Sequence, residues 1–217
     1  MILHIIRHAD PDYEHDTITE YGWREARALA AWMKDKPLDK IYTSPMGRAQ
    51  DTASPTCEIK GMPFELLPWT GESMAYMESH LLTPNDHCTY RFSVQQGAYD
   101  FVDFKDNDRM DTVNEMKRNS DKFLASLGYV REGIFYKVEN HNDKHIAVFC
   151  HGGLGAEWIA HLLGIGPGLS FPAICLTTTS VNTFEFKDSE SGYIRPLLRH
   201  LNDVTHIHLA NMHINTR

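Results

Sequence analysis

The sequence is poor in cysteine, in basic residues and in long apolar runs, and each shortage excludes a class of protein. The four cysteines are scattered among 217 residues without a CxxC pair, which favours reduced structural thiols over a disulfide framework. Lysine and arginine together number 21 against 29 aspartate and glutamate residues, which gives a net charge of −8. A field of that sign repels nucleic acid and anionic lipid, so we expect neither as a partner, and any anion site must concentrate its positive groups locally.

No apolar stretch is long enough, without interruption, to cross a membrane. The most apolar one, residues 154–176, contains a glutamate, a histidine, several glycines and two prolines. The apolar segment at residues 1–6 is shorter than the core of a signal peptide and lacks a basic leader. The sequence therefore predicts a cytoplasmic protein that does not enter a membrane.

Composition and periodicity predict one α/β domain over residues 1–217. Apolar residues make up 42% of the chain and charged residues 23%, values typical of a folded globular protein. The predicted strands are residues 2–6, 40–44, 134–138, 145–150, 173–178 and 180–186. The predicted helices are residues 23–34, 46–56, 112–127 and 154–163. Because strands and helices alternate, we expect a mostly parallel sheet covered by helices, with an inserted cap at about 61–111, where the periodicity fades.

Two histidines stand directly after strands that are predicted to be buried. His8, preceded by Arg7, follows the first strand, and His151 follows the strand at residues 145–150. Arg48 lies in the first turn of the helix that follows a third strand. In open α/β sheets ligands bind outside the carboxyl ends of the strands, so these side chains are expected to converge on one crevice.

A cluster of this kind suits a phosphoryl group. Two guanidinium groups bind phosphate oxygens bidentately and stay charged at any working pH, and a helix N-terminus after Gly152 adds backbone N–H donors. A neutral imidazole at His8, with an ordinary pKa of about 6.5, can attack phosphorus if its other nitrogen donates to a carbonyl. The product of that attack is a phosphohistidine.

Four segments then resemble, in order, the signatures of the histidine phosphatase superfamily (phosphoglycerate mutase-like, branch 1). They are RHA at 7–9, ITEYG at 18–22, YTSPMGRAQDTA at 42–53 and FCHGG at 149–153. The resemblance implies a three-layer αβα sandwich with a mostly parallel mixed sheet, and it implies no metal and no organic cofactor. It also implies that His8 is the nucleophile and that the phosphate pocket is formed by Arg7, Arg48 and His151.

The sequence departs from the family pattern at two places. Ala9 stands where the family usually has glycine and is followed by Asp-Pro-Asp, which makes mutase activity less expected. The family's proton-donating glutamate has no clear counterpart, and Glu72 in LPWTGE at 67–72 is the nearest match, with Glu65 and Glu78 as alternatives. Such a carboxylic acid protonates the leaving oxygen and later activates water, worth roughly 10²–10⁴-fold in rate.

The sequence therefore predicts a metal-independent phosphomonoester hydrolase that acts on a small phosphorylated metabolite or another phosphomonoester. One alternative is a cofactor-dependent phosphotransferase of the phosphoglycerate mutase type, which returns the phosphoryl group to bound substrate. Another is a catalytically weak relative that binds phosphorylated ligands. The oligomeric state stays open, with a homodimer among the alternatives.

Other residues have two interpretations each. Ser44 either bonds the phosphate region or caps the following helix, and Arg91 is the first candidate for a second anionic group on the substrate. The aromatic residues of the 73–108 segment either cover the pocket or pack a small satellite core. His206 and His208 are expected on one polar face of a strand, because no cysteine or carboxylate cluster adjoins them to complete a metal site.

Overall fold

The computed structural model describes residues 1–77, 90–93, 98–101, 108–165 and 173–215, with the backbone alone at 77, 90–93, 98–101 and 108–110. The strands are β1 Ile2–Arg7, β2 Pro11–Asp12, β3 Thr17–Ile18, β4 Lys40–Thr43, β5 Phe64–Leu66, β6 Tyr90–Ser93, β7 Ala98–Phe101, β8 Tyr129–Glu132, β9 Phe135–Val138, β10 His145–Cys150, β11 Val181–Glu185, β12 Tyr193–Ile194 and β13 Leu197–Asp203. The α-helices are α1 Glu20–Met33, α2 Gly47–Lys60, α3 Met74–Met77, α4 Asp108–Ser126, α5 Gly152–Leu163 and α6 Thr205–Leu209, and a 3₁₀ turn spans Pro68–Thr70.

A mixed sheet of six strands, in the order β13-β11-β1-β10-β4-β5, forms the centre of the fold. The pairs β1–β10, β10–β4 and β4–β5 are parallel, whereas β11 is antiparallel to both β1 and β13. The register places Arg7 opposite Cys150 and Phe149 opposite Thr43. The ends of β1, β10 and β4 therefore lie side by side, as the alternation of strands and helices predicts.

The central strands are buried because helices cover both faces of the sheet. Alternate residues of a strand face opposite sides: Leu3 and Ile5 pack in one hydrophobic cluster with Trp158 of α5. Ile6 packs in a second cluster, on the other side, with Leu29 of α1. The expected αβα architecture is thus confirmed.

Three sequence predictions are wrong in their local structure. Residues 173–178 do not form a strand: Leu176 O accepts a bond from the Arg7 side chain, and Thr177 N donates to Asn202 Oδ1 at 2.7 Å. Side chains thus take the place of a neighbouring strand for this backbone. Phe64–Leu66, placed by its weak periodicity in the inserted cap, instead pairs with β4 at the edge of the central sheet.

The third wrong prediction concerns the expected strand that carries His206 and His208. The segment is a short helix, α6, and the carboxylate of Asp203 accepts a bond from Thr205 N at 2.9 Å at its start. Residues two apart on a helix do not share a face. Accordingly His206 is buried and bonded to the Thr179 hydroxyl at 2.8 Å, whereas His208 is exposed.

Candidate active site

The parallel pairing of β1 with β10 places His8 and His151 at the same edge of the sheet. His8 N donates to Cys150 O at 2.9 Å and Ser44 N donates to Phe149 O at 2.8 Å, so the pairing continues one residue past each strand. The imidazole rings of His8 and His151 lie 5.2 Å apart between centroids, at 62°. The sequence prediction that these side chains meet is supported by this geometry.

A cavity of about 620 Å³ opens beside this pair, and its lining includes Arg7, His8, Arg48, Glu72, Gly152 and Gly153. His151 and Ser44 are fully buried and are not part of the lining. The structure therefore brings both arginines, His8 and Glu72 to one open space, with His151 packed against the ring of His8.

His8 is arranged as a neutral base with one nitrogen engaged. Its Nδ1 lies 2.7 Å from Ala9 O, a carbonyl that can only accept, so Nδ1 carries the proton and Nε2 keeps its lone pair. Burial, the largest cause, and the charges of Arg7 and Arg48 together lower the pKa of His8 to about 3, although the hydrogen bond to Ala9 O opposes this shift. At neutral pH the ring is therefore an uncharged nucleophile.

A buried carboxylate and a hydroxyl hold the backbone that follows His8. Ala9 N donates to Thr52 Oγ1 at 2.9 Å, and Asp10 N donates to Glu25 Oε2 at 2.7 Å. The other oxygen of Glu25 accepts from the Thr178 hydroxyl at 2.7 Å, and burial raises the pKa of this carboxyl. The sequence reasoning missed Glu25, although a charged residue within the apolar stripe of α1 is a detectable signal.

His151 is oriented by Ser44. The two side chains bond at 2.7 Å between Nε2 and Oγ, and within the described residues Nδ1 of His151 has no hydrogen-bond partner. Burial, the largest cause, and the neighbouring His8 and Arg48 together lower the pKa of His151 to about 2, so the ring is neutral. The N-cap interpretation of Ser44 is wrong, because Met46 occupies the N-cap position of α2.

Both arginines make contacts within the protein. Arg7 Nη1 donates to Leu176 O at 2.5 Å, and Arg48 Nη1 lies 2.5 Å from Asp16 Oδ1. Asp16, whose φ is +48°, also accepts from Gly47 N at 2.8 Å through its second oxygen. A Cβ on Gly47 would lie 2.2 Å from the carbonyl oxygen of Asp16, so this acid is packed closely at the start of α2. No pattern in the sequence singled out Asp16.

The carboxylate of Glu72 binds the N-terminus of α5, where the sequence predicts that the phosphate of the substrate binds. Its carboxylate accepts from Gly153 N at 3.0 Å and from Leu154 N at 3.1 Å. Burial raises the pKa of Glu72, although these bonds and the charge of Arg48 oppose that rise. In this structure, therefore, those two donors bind a carboxylate that itself lines the cavity.

Of the two alternatives to Glu72, only Glu65 belongs to the described residues, and it does not line the cavity. The carboxylate of Glu65 forms an exposed ion pair with Lys40 on β4. Glu78 lies outside the described residues, and so does the side chain of Arg91, whose backbone belongs to β6.

The described residue ranges contain neither a cluster of metal-binding side chains nor a helix that could span a membrane. Within those ranges no group of three or more histidine, cysteine, aspartate or glutamate side chains is arranged to hold a metal ion. In the same ranges, no helix combines the length and apolar character that a membrane crossing requires.

Solved structures share the fold over nearly the whole chain. A phosphoserine phosphatase mutant from Entamoeba histolytica, in complex with phosphoserine, is 19% identical, with a TM-score of 0.63 over 95% of this chain and 98% of that one. A mycobacterial glucosyl-3-phosphoglycerate phosphatase is 18% identical, with a TM-score of 0.61 over 93% and 98%. The alpha-ribazole phosphatase from Shigella flexneri is 18% identical, with a TM-score of 0.61 over 94% and 97%.

Sequence comparisons give the family. No curated protein matches the chain. The family model of the histidine phosphatase superfamily (branch 1) matches residues 3–204, which is most of the 217 residues. The chain belongs to the histidine phosphatase superfamily, branch 1.

Proposed function

We propose that this protein is a phosphomonoester hydrolase that works through a phosphohistidine on Nε2 of His8. The observation that carries the proposal is a neutral imidazole whose Nδ1 is bonded to Ala9 O, at a cavity lined by two arginines. A fixed tautomer leaves Nε2 as the nucleophilic atom. The guanidinium groups of Arg7 and Arg48 stabilise the charge of a phosphoryl group in transfer.

The reaction has two displacements at phosphorus. In the first, the lone pair of His8 Nε2 forms the N–P bond while the bond from phosphorus to the ester oxygen breaks, and the departing oxygen takes a proton. In the second, water attacks phosphorus, the N–P bond breaks, and inorganic phosphate leaves with His8 restored as a neutral ring. The two displacements balance in atoms and electrons without an oxidant, a reductant or a further group carrier.

Glu72 is the proposed proton carrier of both displacements. Burial raises its pKa, so the carboxyl holds a proton more readily than an ordinary glutamate and can give it to an alkoxide. The resulting carboxylate is stabilised by the N–H groups of Gly153 and Leu154 and can then accept a proton from the attacking water. His151 and Ser44 support the pocket from the buried side, where the His151 ring packs against His8.

Phosphatases among the structural relatives support hydrolysis but point to different esters. Their names give phosphoserine, glucosyl-3-phosphoglycerate and alpha-ribazole phosphatases, at 18–19% identity to this chain. Removal of phosphate from an organic phosphomonoester is common to all three. Hydrolysis is therefore the better supported reaction, and a small phosphorylated metabolite is the proposed class of ligand.

The test is a phosphate-release assay with metals chelated, combined with trapping of the phosphoenzyme. The wild type should release inorganic phosphate, and acid-labile, alkali-stable label from a ³²P-ester should appear on the protein. Both signals should vanish in His8→Ala and persist in His208→Ala, which removes an exposed imidazole of α6. Interconversion of phosphoglycerates without phosphate release would favour the mutase, and tight binding without turnover would favour a phospho-ligand-binding protein.

A further inference from the structure

Four apolar side chains form what we call the apolar wall of the active-site cavity. Tyr13, Met46, Met74 and Leu176 all belong to its lining. Tyr13 is 68% exposed and Met74 is 62% exposed, which places both among the most exposed large apolar residues described. Exposed apolar side chains that line the same cavity as the polar groups favour a binding surface for an apolar part of a ligand.

Tyr13 stands directly beside the proposed reacting groups. Its ring centroid lies 6.5 Å from that of His8 at 85°, an edge-on arrangement, and Arg48 Cζ lies 5.4 Å from the same ring. A phosphoryl group held by Arg48 and His8 therefore has an aromatic ring within reach of its organic substituent. Aromatic rings and thioethers pack well against aromatic ligands, so Tyr13 and Met74 form a surface suited to such a substituent.

The charges around the same cavity act against a second anionic group. Arg7 and Arg48 are the basic residues in the described lining of the cavity, and the carboxylate of Asp16 is bonded to Arg48. Once the phosphate of the substrate has engaged both arginines, a second carboxylate or phosphate would find no further basic partner in that lining and would lie near the charge of Asp16. Like charges in one site raise the free energy of binding.

We infer that the substrate is a phosphomonoester whose organic part is apolar, aromatic or long-chain alkyl, and carries no second anion. This inference rests on the proposed function and names the substrate class of the same site. The phosphate binds at Arg7 and Arg48, and the organic part packs against Tyr13 and Met74. A cavity of about 620 Å³ has room for a ring in addition to the phosphoryl group.

The first experiment compares three esters that all release a primary alkoxide, so that leaving-group reactivity does not decide the result. They are 3-phenylpropyl phosphate, glycerol 3-phosphate and 3-phosphoglycerate. We expect kcat/KM to be at least tenfold higher for 3-phenylpropyl phosphate than for either of the others. A preference for 3-phosphoglycerate would overturn the inference while leaving the proposed hydrolysis intact.

The second experiment assigns the preference to the apolar wall. Tyr13→Ala and Met74→Ala should each lower the ratio of kcat/KM for 3-phenylpropyl phosphate to that for glycerol 3-phosphate by at least threefold. Tyr13→Phe keeps the ring and should keep the ratio, and Phe135→Ala, which removes an exposed ring on β9, is the matched control. An unchanged ratio in both alanine variants would overturn the inference.

A binding measurement separates the inference from the proposed function. Calorimetric titration of His8→Ala requires no turnover, and 3-phenylpropyl phosphate should bind it at least tenfold more tightly than 3-phosphoglycerate. If no ester is hydrolysed but this order of affinity holds, the proposed function fails and the inferred ligand class stands. Equal or reversed affinities contradict the ligand class, whatever the enzyme turns over.

Discussion

Asp16→Asn is expected to tighten the binding of inorganic phosphate. The carboxylate of Asp16 bonds Arg48 Nη1 at 2.5 Å, so it competes for a guanidinium that the phosphate needs. The Asp16 side chain is 49% exposed, and water therefore screens its charge. Asparagine keeps an amide oxygen as acceptor and tolerates the φ of +48° better than most residues.

The size of the effect follows from Coulomb's law. If a phosphate dianion on Arg48 lies about 6 Å from the Asp16 carboxylate, a permittivity close to that of water gives ~1.4 kcal/mol of repulsion. Removal of that repulsion corresponds to about a tenfold lower Kd for phosphate at low ionic strength. At physiological ionic strength the Debye length is about 8 Å, and the gain should shrink to roughly threefold.

The assay is a calorimetric titration of inorganic phosphate into the wild type and Asp16→Asn at two salt concentrations. Asp143→Asn is the control, because it removes one negative charge from a side chain that is 97% exposed near the start of β10, at the opposite end of the strand from His151. It should leave the Kd unchanged. A weaker affinity in Asp16→Asn would refute the reasoning, since Asp16 would then serve to orient Arg48 for phosphate and not to compete with it.

Three further predictions concern the proton donor, the packing behind the nucleophile and the acid stability. Glu72→Gln should lower kcat for an alkyl phosphate by about 10²–10⁴-fold and much less for an aryl phosphate with a good leaving group, and undiminished alkyl ester hydrolysis would exclude Glu72 as the donor. Gly22→Ala places a Cβ 2.5 Å from Asp10 O and should destabilise the fold by about 1–3 kcal/mol in urea denaturation and reduce activity, whereas an unchanged midpoint would contradict the packing. Burial lowers the pKa of His4 and His206 to about 4, so below pH 6.5 the unfolded chain binds more protons than the folded chain. Each of these two histidines should therefore lower the free energy of unfolding by about 2 kcal/mol between pH 6.5 and pH 5. Urea denaturation at both pH values checks this, and a free energy of unfolding independent of pH would refute it.

The sequence predicts the sheet edge well because local signals there agree with the global fold. Short β-branched runs such as residues 2–6 and 145–150 lie close to the observed strands Ile2–Arg7 and His145–Cys150. The pairing of the parallel strands fixes the positions of the residues that directly follow them. The convergence of His8 and His151 was therefore predictable from patterns 143 residues apart along the chain.

The residues that surround the histidines were harder to predict because long-range contacts decide their roles. Asp16 lies in a loop without a periodic pattern, and its bond to Arg48 joins residues 32 apart in the chain. The segment at 173–178 has the composition of a strand, yet its Thr177 N bonds the Asn202 side chain and not a neighbouring strand. Tertiary contacts override local preference in both cases.

The contrast between strand ends and loops bears on how one fold serves different esters. The groups proposed to handle phosphorus, His8 and His151, follow strands whose register fixes their separation. The groups proposed to meet the organic part of the substrate, Tyr13 and Met74, stand in a loop and at the start of a four-residue helix, outside that ladder. Loop residues change without disturbing the sheet, so specificity can diverge while the phosphate chemistry is kept. Phosphatases named for three different phosphorylated compounds share this fold at 18–19% identity to the chain. The substrate of this protein should therefore be sought from the apolar wall of its cavity and not from the names of its relatives.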